Sequence, residues 1–232
     1  MAHYGYVRYL VEARRFPVAQ PDDRSEYHQP PLYYALAAAL AWPFPAPQGD
    51  LDGYADRVNP YRAFRYWEPG LDNKNLFLHG PWDLWPFRGV SLSVHVARLA
   101  SLGLGAVTVL LTYQVARSLL DEWASLASAG LAGLLPMFLA VSGSLQNDSG
   151  AAAAGAVVLW LGLRFYRSGF SARRAIGLGL AIGVGALMKI TVVFLLVPAL
   201  VLILIWGRTH RQPLPRVIGY LAVMAATAAL SG

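Results

Sequence analysis

The sequence predicts an all-α polytopic membrane helical bundle, preceded by an extracytoplasmic segment that carries interfacial helices. Three observations predict it. Of 232 residues, 56% are hydrophobic and only 14% charged, whereas an ordinary soluble domain carries about 25% charged residues. The apolar excess is concentrated after residue 90, where Leu, Ala, Gly and Val dominate. The charge that remains there falls into short, mostly arginine clusters between apolar runs. The break divides the chain into two expected domains, an extracytoplasmic segment 1–90 and a transmembrane bundle 91–232.

A bilayer core of about 30 Å asks for roughly 20 apolar helical residues, or fewer where snorkelling ends or neighbouring helices help. Val90–Leu120 meets this and forms the first expected span, with Arg98 near its start and Arg117 near its end. Trp123–Val141 and Gly150–Leu163 with its flanks follow. Ala175–Leu187 and Ile190–Trp206 make a close pair around Lys189, and Val217–Leu230 opens a sixth span that the chain cuts short. Gly179 and Gly183, four residues apart, let helices approach closely, and packing within the bundle is the simpler use of them.

The arginines orient the bundle. One set of alternate loops holds Arg117, Arg164, Arg167, Arg173, Arg174, Arg208, Arg211 and Arg216, while the other holds only Lys189. Basic residues stay on the cytoplasmic side, so residues 1–90, the Asn147 loop and Lys189 are expected on the outside of the inner (plasma) membrane.

Within the first segment, Tyr4, Val7, Leu10 and Val11 share one helical face, as a helix lying along a membrane surface requires. Pro30-Pro31 opens a second apolar run, Leu32–Trp42, with proline suited to a first helical turn. This run is too short to span unaided. Tyr33, Tyr34 and Trp42 fit an interfacial layer, which places it on or dipping into the outer leaflet. Residues 43–90, rich in proline and glycine and including Trp67, Trp82 and Trp85, read as an ordered irregular loop. Arg62, Arg65, Glu68, Asp72, Lys74 and Asp83 give that loop a mixed-charge face.

Charge and cysteine content remove other classes. The net charge of +6 suggests nucleic acid, but residues 1–90 hold nine basic and ten acidic groups, and the surplus sits in the loop arginines. Membrane topology accounts for it, and no nucleic-acid partner is expected. There is no cysteine, which excludes disulfides and thiolate metal sites. The start shows no charged-then-apolar leader pattern and the end falls inside an apolar run, so both ends are expected to be cut from a longer protein.

Three segments carry a family resemblance. The first is Ala2-His3-Tyr4-Gly5-Tyr6, followed by Glu26-Tyr27-His28-Gln29-Pro30-Pro31-Leu32-Tyr33-Tyr34. The second is Val96-Ala97-Arg98-Leu99-Ala100-Ser101, opening a span that closes on Tyr113-Gln114-Val115-Ala116-Arg117. The third is Gly183-Val184-Gly185-Ala186-Leu187-Met188-Lys189-Ile190-Thr191, the turn of a short helical hairpin. Together they resemble the polyprenyl-phosphate-sugar glycosyltransferases of the GT-C fold, a group that includes protein O-mannosyltransferases and lipid A aminoarabinose transferases. The resemblance implies a polyprenyl-phosphate sugar donor, a lipid bilayer around the enzyme, and a glycan, lipid or protein acceptor on the outer face. It also implies an acidic pair just ahead of the surface helix, which would lie before Met1 and carry the main catalytic acid. This chain alone is therefore expected not to turn over. His28-Gln29 departs from the pattern, standing where many members have lysine.

Sugar transfer from a lipid phosphate needs a carboxylate to take the acceptor proton and a cation or dipole to hold the departing phosphate. Lys189, an ammonium at a hairpin turn near the outer leaflet, is placed to meet a phosphate headgroup; alternatively it snorkels and merely ends a helix. Arg98 offers the same contact or pairs with a loop carboxylate. Asp148, in Asn147-Asp148-Ser149, is either a second acid or part of a helix cap. That tripeptide also matches an N-glycosylation acceptor. Glu26 is a further catalytic candidate, and His28 a donor-phosphate contact or a loop hydrogen bonder. The resemblance adds His3 and Tyr6 as donor-site residues. Asp72-Asn73-Lys74-Asn75 and His79 offer sugar contacts or a polar turn. No metal-ligand spacing occurs and no cofactor is evident, with a divalent metal held by upstream acids left open. Two rival readings, a lipid or solute transporter and a non-catalytic assembly scaffold, lack support from internal repeats or from an extended soluble domain.

Overall fold

A computed structural model describes residues 2–21, 25–47, 59–60 and 78–232. Arg62, Arg65, Trp67, Glu68 and the Asp72–Asn75 turn lie outside the described residues. The described part is all-helical: α1 (Ala2–Ala13), α2 (Leu32–Ala41), α3 (Gly89–Arg117), α4 (Glu122–Leu134), α5 (Pro136–Ser142), α6 (Asp148–Ser168), α7 (Ala172–Ala186), α8 (Leu196–Thr209) and α9 (Leu214–Ser231). A short 3-10 helix, Pro81–Asp83, precedes α3, and a 3-10 turn over Ile190–Leu195 leads into α8.

Four stretches among the described residues are long and apolar enough to cross a membrane, and α4 with α5 makes a fifth if that bent pair counts as one span. The multi-pass class expected from sequence therefore holds, but the expected six spans do not. At 15 residues, α7 is about 22 Å long, short of a 30 Å core. Trp123–Val141 is likewise not one rod, since α4 and α5 meet at a 64° bend. Pro136 at the start of α5 lacks an N–H and drives Leu135 into extended backbone (φ −58°, ψ 123°), which breaks the helical hydrogen-bond run.

The α7–α9 pair shows what Gly179 and Gly183 do. A Cβ on Gly183 would sit 2.6 Å from the Ala228 carbonyl oxygen, and one on Gly179 would sit 2.9 Å from Thr227 Cβ. These glycines let the α9 backbone close directly on α7, so the motif serves packing inside the bundle. Leu178, Ile182, Ile203, Trp206 and Met224 fill the core around this contact.

A second core crosses the expected domain boundary. Tyr4, Tyr6 and Val7 of α1, Tyr33, Tyr34, Ala37 and Ala41 of α2, and Ala97 and Ala100 of α3 pack into one cluster. Two expectations change here. The apolar face of α1 is covered by α2 rather than left to lipid, and Tyr33 and Tyr34 are fully buried instead of interfacial. Tyr33 hydrogen-bonds Ser101 of α3 at 2.6 Å. Trp42 differs from them in being half exposed, with the Arg14 guanidinium 4.8 Å over its ring.

Candidate functional site

The site forms where four helix termini meet at one end of the bundle. A helix leaves its last carbonyls without intrahelical partners, and here the end of α7 shares them out. Past Ala186 the chain makes a turn, with Met188 N bonded to the Gly185 carbonyl at 2.9 Å and Lys189 N to the same oxygen at 3.1 Å. Lys189 itself is extended (φ −156°, ψ 129°), and the β-branched run Ile190-Thr191-Val192-Val193 disfavours an immediate return to α-helix. The Leu187 carbonyl accepts Leu32 N at 2.9 Å, which fastens the start of α2 to the turn. The Met188 carbonyl accepts the Asn147 side-chain amide at 3.2 Å.

Asn147 precedes α6 and makes no side-chain cap bond. Its amide donates outward, to Met188 and to Gln29 Oε1 at 3.1 Å. The capping role expected for this tripeptide is thus replaced by a buried staple joining the Gln29-Pro30-Pro31 segment, the head of α6 and the Lys189 turn. Only 2% of Asn147 is exposed, so the N-glycosylation reading fails for want of access. Close approach at Gly150 completes the joint, since a Cβ there would sit 3.1 Å from Met188 Cβ.

These contacts bring Lys189 Nζ onto Asp148 Oδ1 as an ion pair. The lysine side chain is 25% exposed and the aspartate 48%, so the carboxylate opens outward while the ammonium reaches it from a sheltered turn. Asp148 also occupies the first turn of α6, where the helix dipole favours negative charge. Beside the pair, His28 Nε2 lies 3.4 Å from Glu26 Oε2, and Gln29 Nε2 bonds His28 Nε2 at 3.1 Å. Glu26 N reaches back to the Ala2 carbonyl at 3.4 Å, tying this segment to the start of α1.

His3 borders the cluster. Its Nδ1 hydrogen-bonds the Tyr34 hydroxyl at 2.8 Å, and its ring stacks on Tyr34. Burial lowers the His3 pKa from its ordinary value, with Glu26 and Asp148 opposing and Lys189 adding to the shift. His3 thus lies close enough to Glu26, Asp148 and Lys189 to feel their charges. Burial, reinforced by Glu26, raises the Tyr34 pKa, which keeps the hydroxyl protonated.

The structure therefore brings together Asp148, Lys189, Glu26, His28 and His3. Tyr6 stands apart: at 2% exposure it stacks on Tyr34 at 4.1 Å between centroids and borders Tyr27 edge-on. Its ring therefore supports Tyr34 and Tyr27 from within the core. Arg98 lies on α3 one turn before Ser101, whose hydroxyl bonds the Gln146 carbonyl at 3.5 Å next to Asn147. Arg98 forms no ion pair among the described residues, and its Nε is buried without a hydrogen-bond partner. His79 pairs with Asp83 at 3.4 Å. No group of three or more His, Cys, Asp or Glu with metal-holding geometry occurs among the described residues.

Sequence reasoning missed the role of Gln29, and named no partner for Asn147, read as part of a helix cap, or for Tyr34, read as interfacial. Each acts through a contact between segments more than thirty positions apart, and no local pattern carries that information.

The profile of the dolichyl-phosphate-mannose-protein mannosyltransferase family matches residues 81–231. That range takes in Arg98, Asn147, Asp148 and Lys189, while His3, Tyr6, Glu26 and His28 precede it. No curated protein matches the chain and no solved structure does. The match covers well over half of a multi-pass chain whose described residues are all-helical, and on that ground the chain belongs to the dolichyl-phosphate-mannose-protein mannosyltransferase family of membrane glycosyltransferases.

Proposed function

We propose that the protein transfers a sugar from a polyprenyl-phosphate donor to an acceptor on the extracytoplasmic face, at the Lys189–Asp148 site. The observation that carries this reading is the ion pair itself, a sheltered ammonium held at a helix end beside an outward-opening carboxylate, inside the family match. The arginine-rich loops all fall at the other end of the bundle, which supports the outward placement of this one.

In the reaction an acceptor hydroxyl or amine attacks the anomeric carbon of the donor. The bond from that carbon to the phosphate oxygen breaks, and its electron pair leaves with the phosphate. Lys189 holds the phosphate and takes up the charge that grows on its oxygen, as pre-aimed cations do. Arg98, whose buried Nε has no hydrogen-bond partner among the described residues, and His28 at the rim are the supporting donors. The acceptor's proton goes to a carboxylate, and Asp148 and Glu26 are the two that this chain places at the site. Arrival of the phosphate competes with Asp148 for Lys189, so binding the donor frees the carboxylate that the next step uses. His3, kept neutral by burial, lines the same rim through Tyr34.

The test is transfer from dolichyl-phosphate mannose, the donor for which the family is named, in membranes carrying the full-length protein. Lys189→Ala is expected to lower transfer by at least tenfold, a loss of about 1.4 kcal/mol of transition-state stabilisation, with membrane insertion unchanged. Transfer at the wild-type rate would remove Lys189 from the mechanism.

A further inference from the structure

At the opposite end of the bundle, the last turns of α3 and α6 enclose a cleft of about 320 Å³. Its polar lining is Gln114 of α3 and Ser118 just past its end, with Arg164, Arg167 and Ser168 of α6, and Trp160 forms one wall. The Arg164 guanidinium lies 5.3 Å over the Trp160 ring. Arg167 donates to the Ser118 carbonyl, bridging the two helix ends. No acidic residue lines the cleft.

A second groove, of about 310 Å³, runs along the same two helices. It is almost wholly apolar, lined among others by Leu111, Ala152, Gly155 and Leu159. Val115 lines both spaces, so the basic cleft and the apolar groove adjoin at that side chain. From Thr108 to Ser118 the groove and cleft follow about ten residues of α3, or ~15 Å. That is half of a hydrocarbon core of about 30 Å, the depth that one acyl chain of one leaflet occupies.

The geometry points to a binding site for an anionic phospholipid in the leaflet at the arginine-rich end, its phosphate on Arg164 and Arg167 and an acyl chain in the α3–α6 groove. The reasoning is charge complementarity joined to shape. Two guanidiniums with no carboxylate beside them favour an anion, and arginine's planar fork suits phosphate oxygens. The Trp160 face beside Arg164 is at home at the depth of a glycerol backbone. Basic pockets between transmembrane helices at this end of a membrane protein are where anionic headgroups are held. A free phosphate would satisfy the arginines but leave the groove open. Along α6, Arg167 is nineteen residues from Asp148, or ~28 Å, so this site is separate from the one proposed for the sugar donor and does not depend on it.

The test is lipid retention by the whole protein, purified in detergent and titrated with phosphatidylglycerol or phosphatidylcholine, with bound lipid read by native mass spectrometry. The expected result is one phosphatidylglycerol retained at least tenfold more tightly than phosphatidylcholine. Arg164→Gln with Arg167→Gln abolishes that preference, whereas the two Arg→Lys changes keep most of it. Gly155→Leu tests the tail independently. A Cβ at Gly155 meets only Leu195 Cδ1, at 4.0 Å, so a side chain can start there without a backbone clash, and one that reaches into the groove lowers phosphatidylglycerol retention at unchanged charge and unchanged Tm. Equal retention of both lipids, retention unaffected by either variant, displacement by millimolar inorganic phosphate, or a second copy of the chain covering the groove would each overturn the assignment.

Discussion

Replacing Asn147 by alanine removes a side chain that ties the head of α6 to two other parts of the site. Its amide donates to Gln29 Oε1 at 3.1 Å and to the Met188 carbonyl at 3.2 Å, from a position only 2% exposed. Truncation leaves two acceptors short of a donor in a nearly dry joint, and each such loss costs about 1–3 kcal/mol. A combined penalty of roughly 2–4 kcal/mol follows, allowing for partial rescue by an entering water. That cost falls on the docking of residues 25–31 and of the Lys189 turn rather than on the helices. The assay is kcat/KM for transfer from dolichyl-phosphate mannose, expected to drop by about 10–100-fold, together with hydrogen exchange, expected to quicken at residues 25–31. Asn147→Asp keeps the shape, reverses the donor, and is expected to be no better than alanine. Wild-type transfer and exchange in either variant would refute the staple.

Asp148→Asn leaves Lys189 without its anion, and is expected to lower kcat while KM for the donor stays level or falls, because the phosphate no longer displaces a carboxylate. A raised KM with unchanged kcat would contradict this. His3 is neutral in the fold because burial lowers its pKa, so unfolded chain takes up a proton first as pH falls. The stability it contributes is full above its unfolded value of about 6.5 and is lost as pH drops through the lower folded value. Thermal unfolding followed from pH 7.5 to 5 is expected to show a falling Tm that flattens in His3→Gln, and equal slopes in the two proteins would contradict it. Gly183→Ala places a Cβ about where the Ala228 carbonyl allows none, 2.6 Å away. It is expected to cost about 1–3 kcal/mol, read as a lowered Tm with the site otherwise intact, and an unchanged Tm would show that α9 does not close on α7.

How much of this was legible depended on whether the determining contact was local. Span positions followed from apolar run length, and the starts of α3, α6 and α9 came within a few residues of expectation. The 64° break between α4 and α5 was missed although Pro136 marks it, because hydropathy averages across a proline. The shortness of α7 was legible, since the expected run Ala175–Leu187 already falls short of a bilayer core and α7 is a 15-residue helix. On α1 the apolar face was correctly placed and its covering was not. Period and composition cannot distinguish lipid from Tyr33 and Tyr34 as the partner. Within the site, Lys189 and Asp148 stood out as isolated charges in an apolar stretch, each singled out separately. Their pairing depends on Asn147, Gly150 and the Met188 carbonyl meeting across forty-one positions, which no motif encodes.

Binding of polyprenyl phosphate to the protein in lipid nanodiscs is the most direct test of Lys189 as the phosphate-holding residue. Wild type and Lys189→Arg are expected to bind within a fewfold of each other, and Lys189→Ala at least tenfold more weakly, about 1.4 kcal/mol. Equal affinity in Lys189→Ala would mean that the phosphate is held elsewhere and that the Lys189–Asp148 pair only closes the helix ends.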